Sequence, residues 1–136
     1  MNPPTDEHRF RDGRGWEVTA GYSRAARRGN VIVVSGTTAD DDVAAAHPDD
    51  TDRQMRDAIG RGLAAIGQLG GSIDDVVRSR VYLAPDADWE AASAVHAELL
   101  GSVAPANTTL YVHRLIGPSF LVEVELDAVV EGEATR

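Results

Sequence analysis

Two hydrophobic periods divide this chain. Val31-Ile32-Val33-Val34 is a β-branched apolar run, and Arg28-Gly29-Asn30 separates it from a second strand-like run over 23–28, so a hairpin is predicted there. Residues 38–50 are polar, rich in Asp and Ala, and read as a long loop. The period then changes. Met55, Ala58, Ile59, Leu63, Ile66 and Leu69 recur at three- and four-residue spacing, with Arg53, Arg56, Asp57 and Arg61 mostly between them. That pattern predicts an amphipathic helix, capped by Asp50 or Thr51 and stopped by Gly70-Gly71. Gly60, Gly62 and Gly67 each weaken it by up to about 1 kcal/mol relative to alanine, while permitting a close approach to a sheet. Ser72-Ile73-Asp74-Asp75 predicts a short helical turn leading into a strand over 78–83, which Pro85-Asp86 breaks. Asp88 caps a second helix with Trp89, Ala92, Val95, His96, Leu99 and Leu100 on one face, ended by Gly101. Strands over 108–115 and 120–130, joined through Gly117-Pro118, close the chain. The order β-β-α-β-α-β-β predicts an α+β domain, a mixed sheet with two helices on one face.

Alternation fixes which side of each strand meets those helices. In the last strand Val122, Val124, Leu126 and Ala128 point one way, and Glu123, Glu125 and Asp127 the other. In the middle strand Val81 and Leu83 share the core face, while Arg80 and Tyr82 share the opposite one. That second face is either open to water or a subunit interface. Burying its acids unpaired would cost several kcal/mol each, so an interface requires partners such as Arg80.

Composition narrows the classes. A length of 136 residues fits one domain with a single core. Residues 1–15 carry Pro3, Pro4 and many charges and read as a flexible N-terminal arm, leaving 16–131 as the domain. A net charge of -9 argues against nucleic acid as a partner, because phosphate binding needs a basic face. Arg24, Arg27 and Arg28 form the one tight basic cluster and read as a solvated hairpin edge. No apolar run is long enough to span a bilayer, and residues 1–14 lack the apolar stretch of a secretory signal, so no membrane partner is expected. The chain has no cysteine, which removes disulfides and thiolate chemistry and fits a cytoplasmic protein. His8, His47, His96 and His113 are scattered without the close spacing of metal sites, so no metal and no cofactor is expected.

The chemistry emerges from several short stretches taken together. Pro105-Ala106-Asn107-Thr108-Thr109, then Arg114-Leu115 and Leu121-Val122-Glu123-Val124-Glu125, follow Gly21-Tyr22-Ser23, Val33-Val34-Ser35-Gly36, Ser72-Ile73-Asp74-Asp75-Val76-Val77 and Val81-Tyr82-Leu83. In order and spacing these resemble the RidA family (YjgF/YER057c/UK114) over roughly 21–130. Members of known chemistry hydrolyse reactive enamines and imines to ketones and ammonia. The resemblance implies a chorismate-mutase-like fold assembled as a homotrimer, with the sheets facing inward and a cleft at each subunit boundary. It implies that Tyr22 lines the cleft, that Ser35 and Gly36 lie beside the substrate, and that Glu123 positions or deprotonates the hydrolytic water. Thr109 falls where many members carry a small polar residue or cysteine. Asn107 falls where the family has an arginine that clamps the substrate carboxylate. An arginine fork gives two charge-assisted hydrogen bonds and an amide carries no charge, so the anchor is changed in kind. Arg80 could replace the missing cation from its strand, and Arg114 lies on the opposite strand face from Asn107. Alternatively the substrate is neutral, and Asn107 binds an amide or carbonyl. The expected function is therefore a hydrolase or deaminase of small imine- or enamine-type metabolites with non-standard specificity. The alternative is a non-catalytic trimer that binds a small molecule or a protein. Ribonuclease activity, attached to some members, is disfavoured by the acidic charge.

Overall fold

The computed structural model of the chain describes residues 8–14 and 16–131. The elements run β1 (Arg9–Phe10), α1 (Glu17–Ala20), β2 (Ala25–Arg28), β3 (Val31–Thr37), α2 (Asp41–Ala46), α3 (Thr51–Gln68), a 3-10 turn (Ile73–Asp75), β4 (Val76–Leu83), α4 (Trp89–Leu100), β5 (Ala106–Tyr111) and β6 (Val122–Val129). One mixed sheet has the order β1-β2-β3-β6-β4-β5. Every neighbouring pair is antiparallel except β4 and β5, whose parallel pairing requires the crossover that α4 supplies. This is the expected α+β chorismate-mutase-like fold.

The expected helix boundaries hold because the caps are real. Asp50 accepts from Arg53 N at 2.9 Å and Asp88 from Ala91 N at 3.1 Å, each satisfying an orphan donor of the first turn. Met55, Ala58, Ile59, Ala65 and Ile66 of α3 are buried against Ile32, Val34, Leu126 and Ala128 of the sheet. Each fully buried Ile, Leu or Met contributes roughly 1.5–3 kcal/mol. Of the helix glycines, Gly62 serves the close approach: a Cβ there would stand 2.9 Å from Leu126 Cδ1, while Gly60 and Gly67 meet nothing within 4 Å.

Four expectations need correction. The segment 38–50 contains α2, because the Asp40 side chain caps Asp42 N at 3.2 Å and Ala44 packs inward. The strand expected over 108–115 runs from Ala106 to Tyr111, since its partner β4 ends at Leu83. Trp89, placed on the core face of α4, sits in its first turn and is 52% exposed. The arm expected over 1–15 lies partly outside the described residues. Its described part is tied down: Arg9 and Phe10 pair with Ala26 and Ala25, and Asp12 N and Gly13 N donate to the buried Glu17 carboxylate.

One polar side chain holds the loop before β6 to the helical layer. Gln54, fully buried in α3, donates to His47 O and Ser119 O, both at 2.9 Å, and accepts from Leu121 N at 2.9 Å. Gln54→Leu keeps the volume but strands the buried Leu121 N and removes the donor to the half-buried His47 and Ser119 carbonyls, and a buried unsatisfied group costs about 1–3 kcal/mol. We expect a loss of at least that size in urea unfolding; an unchanged midpoint would show that the loop finds other partners.

Candidate functional site

The site begins with an irregularity in the β3–β6 ladder. Val34 pairs with Leu126 and Thr37 with Val124, so β3 spends one more residue than β6 across this interval. The extra residue is a bulge at Ser35-Gly36, a common device for re-aiming side chains beside a site. It brings Gly36 over Glu123: a Cβ on Gly36 would stand 3.0 Å from Glu123 Cδ and overlap the carboxylate oxygen. Glycine at this position is what leaves room for the acid.

A cavity of about 450 Å³ opens here, lined among others by Tyr22, Arg24, Gly36, Arg61, Phe120 and Glu123. Glu123 is half-buried. Burial raises its pKa above the ordinary carboxylate range; Arg24 pulls it down and Glu125 adds a further push upward. Arg24 is only 7% exposed. Its Nη1 donates to Gly36 O at 2.6 Å and to Thr37 Oγ1 at 3.2 Å, and its guanidinium carbon lies 5.6 Å from the Tyr22 ring centre, within cation–π range. Arg61 donates to Thr38 O at 2.7 Å and pairs with Asp12 Oδ2 at 3.1 Å. The same Asp12 oxygen is 3.7 Å from Arg24 Nε.

The residues expected to form one site fall into separate places within the chain. Tyr22, Gly36 and Glu123 line the cavity just described. Ser35 does not line it: its hydroxyl donates to Ser23 O at 2.7 Å, fastening the hairpin. Asn107 and Thr109 line a second cavity of about 180 Å³, with Met55, Val81, Ser93 and His96. There Asn107 Nδ2 donates to Ser79 Oγ at 3.0 Å and Thr109 Oγ1 donates to Asn107 Oδ1 at 2.9 Å. The Ser79 hydroxyl also lies 2.7 Å from His96 Nε2, and burial lowers the His96 pKa. Arg80 lines neither cavity; it stands 3.3 Å from Asp127 and 3.6 Å from Glu125 on the face away from the helices. Tyr82 donates to Glu125 at 3.1 Å beside it. The described residues hold no cluster of three or more His, Asp or Glu that could bind a metal ion.

Sequence reasoning missed Arg24. The cluster at 24–28 was expected to be solvated, but Arg24 is buried in the cavity and Arg27 reaches Leu69 O at 2.7 Å; Arg28 alone remains exposed. The available signal was parity, since Tyr22 and Arg24 are two residues apart and so share a side of an extended segment. Arg61 had no such signal, because it reaches the cavity from α3.

A family model described as Endoribonuclease L-PSP matches residues 15–130. The chain is 37% identical over 120 residues to the uncharacterized protein SCO2049 of Streptomyces coelicolor, covering 88% of this chain and 90% of that one. It is 29% identical over 106 residues to the 3-aminoacrylate deaminase RutC of Acinetobacter baylyi, covering 77% and 83%. Among solved structures it is similar to Rv2704 of Mycobacterium tuberculosis, a member of the YjgF/YER057c/UK114 family, with a TM-score of 0.80 and 39% identity over 90% of this chain and 98% of that one.

The raised Glu123 pKa has a sign that can be checked in stability. A folded-state pKa above the unfolded value means that the native state binds the proton more tightly, so this contribution is complete below the unfolded pKa and is lost as pH rises through the folded one. Glu123→Gln removes the buried charge and should raise the melting temperature at pH 7 relative to wild type, with the difference shrinking toward pH 4. A variant less stable than wild type at pH 7 would contradict the assignment.

Proposed function

The chain belongs to the Endoribonuclease L-PSP family, the YjgF/RidA family, and from that premise we propose that it hydrolyses a small imine or enamine to a carbonyl compound and ammonia. The observation that carries this reading is Glu123, a half-buried carboxylate of raised pKa facing a metabolite-sized cavity beneath a glycine. A proton acceptor works best when its pKa approaches the working pH, and burial moves Glu123 in that direction. Tyr22 lines the same space and can hold the substrate by packing or by its hydroxyl.

The chemistry asks little more. Water adds to the imine carbon while Glu123 takes one of its protons and passes it to nitrogen, giving a carbinolamine. Glu123 then takes the remaining hydroxyl proton and returns it to nitrogen, the C–N bond breaks, ammonia leaves and the carbonyl remains. An enamine enters the same sequence by tautomerising: a proton adds at carbon, one leaves nitrogen, and the imine results. The relative named as a 3-aminoacrylate deaminase supports this class, since aminoacrylate is an enamine carboxylate. The family description also names a ribonuclease, but a chain of net charge -9 is poorly matched to a phosphate backbone. We place the reaction in the cytoplasm, with the protein working as a homotrimer whose clefts lie at the boundaries between copies.

The trimer reading is supported by the sheet face away from the helices. Val31, Val33 and Val129 are 45%, 44% and 41% exposed there, beside Arg80 already paired with Glu125 and Asp127. Apolar side chains together with internally satisfied charges suit burial in an interface. Val33→Asp, which adds an unpaired charge at that face, should convert the trimer to monomer in light scattering; a monomeric wild type would refute the assembly.

The reaction is tested by ammonia release from 2-aminoacrylate, generated in situ by a serine dehydratase, with 3-aminoacrylate and neutral imines alongside. Wild type should accelerate release, and Glu123→Gln should lose about 10²–10⁴-fold of the rate, the usual contribution of a positioned acid–base group. If no compound is turned over and Glu123→Gln alters only stability, the protein is a binding module.

A further inference from the structure

We propose that Arg24 is the anion anchor of the Glu123 cavity, so that the preferred ligand is a small carboxylate with an apolar substituent, held from the β2 side and not by Asn107. For the reaction this rests on the hydrolase reading; for binding it does not. The first observation is the guanidinium itself. It is buried to 7% exposure, its Nη1 serves two protein oxygens, and its Nε is fully buried with no hydrogen-bond acceptor among the described residues. A buried guanidinium with an unused donor is costly unless an anion completes it. The protein offers only a fraction of one: Asp12 Oδ2 is 3.7 Å from Nε, beyond hydrogen-bonding distance, and is shared with Arg61 at 3.1 Å. Glu123 also feels Arg24, yet burial holds it toward its neutral form.

The second observation is that the other two arginines lining this cavity, Arg14 and Arg61, are already ion-paired. The chain has no lysine, so any cationic side-chain anchor present at neutral pH is an arginine. Arg14 pairs with Asp40, Arg61 with Asp12, and Arg80 with Glu125 and Asp127. Arg114 lines a different cavity, with Pro85 and Pro118. Asn107 has its amide engaged by Ser79 and Thr109 in the second cavity. The same cavity is lined by Trp16, Ile116 and Phe120, an apolar surface fit for an aliphatic or aromatic substituent on the ligand, while Thr38 and the exposed Asp41 add polar groups to its wall. A guanidinium at one end, a carboxylate of raised pKa beside it and an apolar wall define the ligand class.

The test compares 2-oxobutanoate with 2-oxobutanamide, which are nearly equal in size and differ in charge, by calorimetric titration of the full-length protein. Wild type should prefer the carboxylate by about tenfold or more, the scale of one charge-assisted contact. Arg24→Gln should abolish the preference, Arg24→Lys should retain part of it, and Asn107→Ala should keep it. Equal binding of the two compounds by wild type, or a preference that survives Arg24→Gln or disappears in Asn107→Ala, overturns the proposal. If Arg24→Gln does not fold, the wild-type ratio and the Asn107→Ala ratio decide by themselves. Because binding is read without turnover, a preference without hydrolysis defeats only the reaction reading, and hydrolysis without a preference defeats only Arg24.

Discussion

The structure depends on β6, which has to satisfy opposite demands on its two sides. It lies between β3 and β4 at the centre of the sheet, so Val122, Val124, Leu126 and Ala128 are almost fully buried beneath α3. The alternate residues, Glu123, Glu125 and Asp127, are carboxylates that must live on the other face of the same buried strand. A one-residue slip of register would put three acids in the core, which fixes the strand more firmly than its hydrogen bonds could. Each acid is then dealt with differently. Glu125 and Asp127 meet Arg80 and Tyr82 from β4, whereas Glu123, at the end where β3 bulges, meets open space and Arg24. The candidate site is the place where the sheet stops neutralising its own charges.

How much of this was legible in the sequence follows from which interactions are local. The caps at Asp50 and Asp88 and the strict alternation of β6 are written in short stretches, and the fold followed from them. The helix in 38–50 was not legible, because its composition of Asp and Ala resembles a loop until Asp40 is known to cap it. Glu123 and Tyr22 were singled out through the family pattern and lie in one cavity. Arg24 was read as surface because charge runs near hairpins usually are; its burial depends on the bulge at Ser35-Gly36, on Asp12 and on Tyr22, none of which a linear pattern connects.

The split between the two cavities has a physical cause. Asn107 pairs with Ser79 across the parallel β4–β5 ladder, and Ser79 is fully buried on the helix side of the sheet. Asn107 is therefore drawn toward the Ser79 and His96 polar pair, on the side opposite Glu123. A longer cationic side chain there could not share that small pocket without bringing a charge against the half-buried, neutral-leaning His96. Asn107 suits this neighbourhood: it gives Ser79 a donor, takes one from Thr109 and leaves no charge to compensate. An uncharged amide at this position and the small polar network around it are one arrangement, seen from two sides.

Arg24 and Glu123 also constrain each other. Within the cavity Glu123 stands between two influences, burial raising its pKa and the Arg24 charge lowering it. An anion seated on Arg24 would cancel much of the second while excluding water and strengthening the first. Binding would then make Glu123 more basic at the moment when a proton acceptor is needed. The same coupling runs in reverse, because a protonated Glu123 repels an incoming anion less than an ionised one does. Ligand affinity and the Glu123 proton are thus linked through a single buried guanidinium, and the geometry that supplies the anchor also tunes the base.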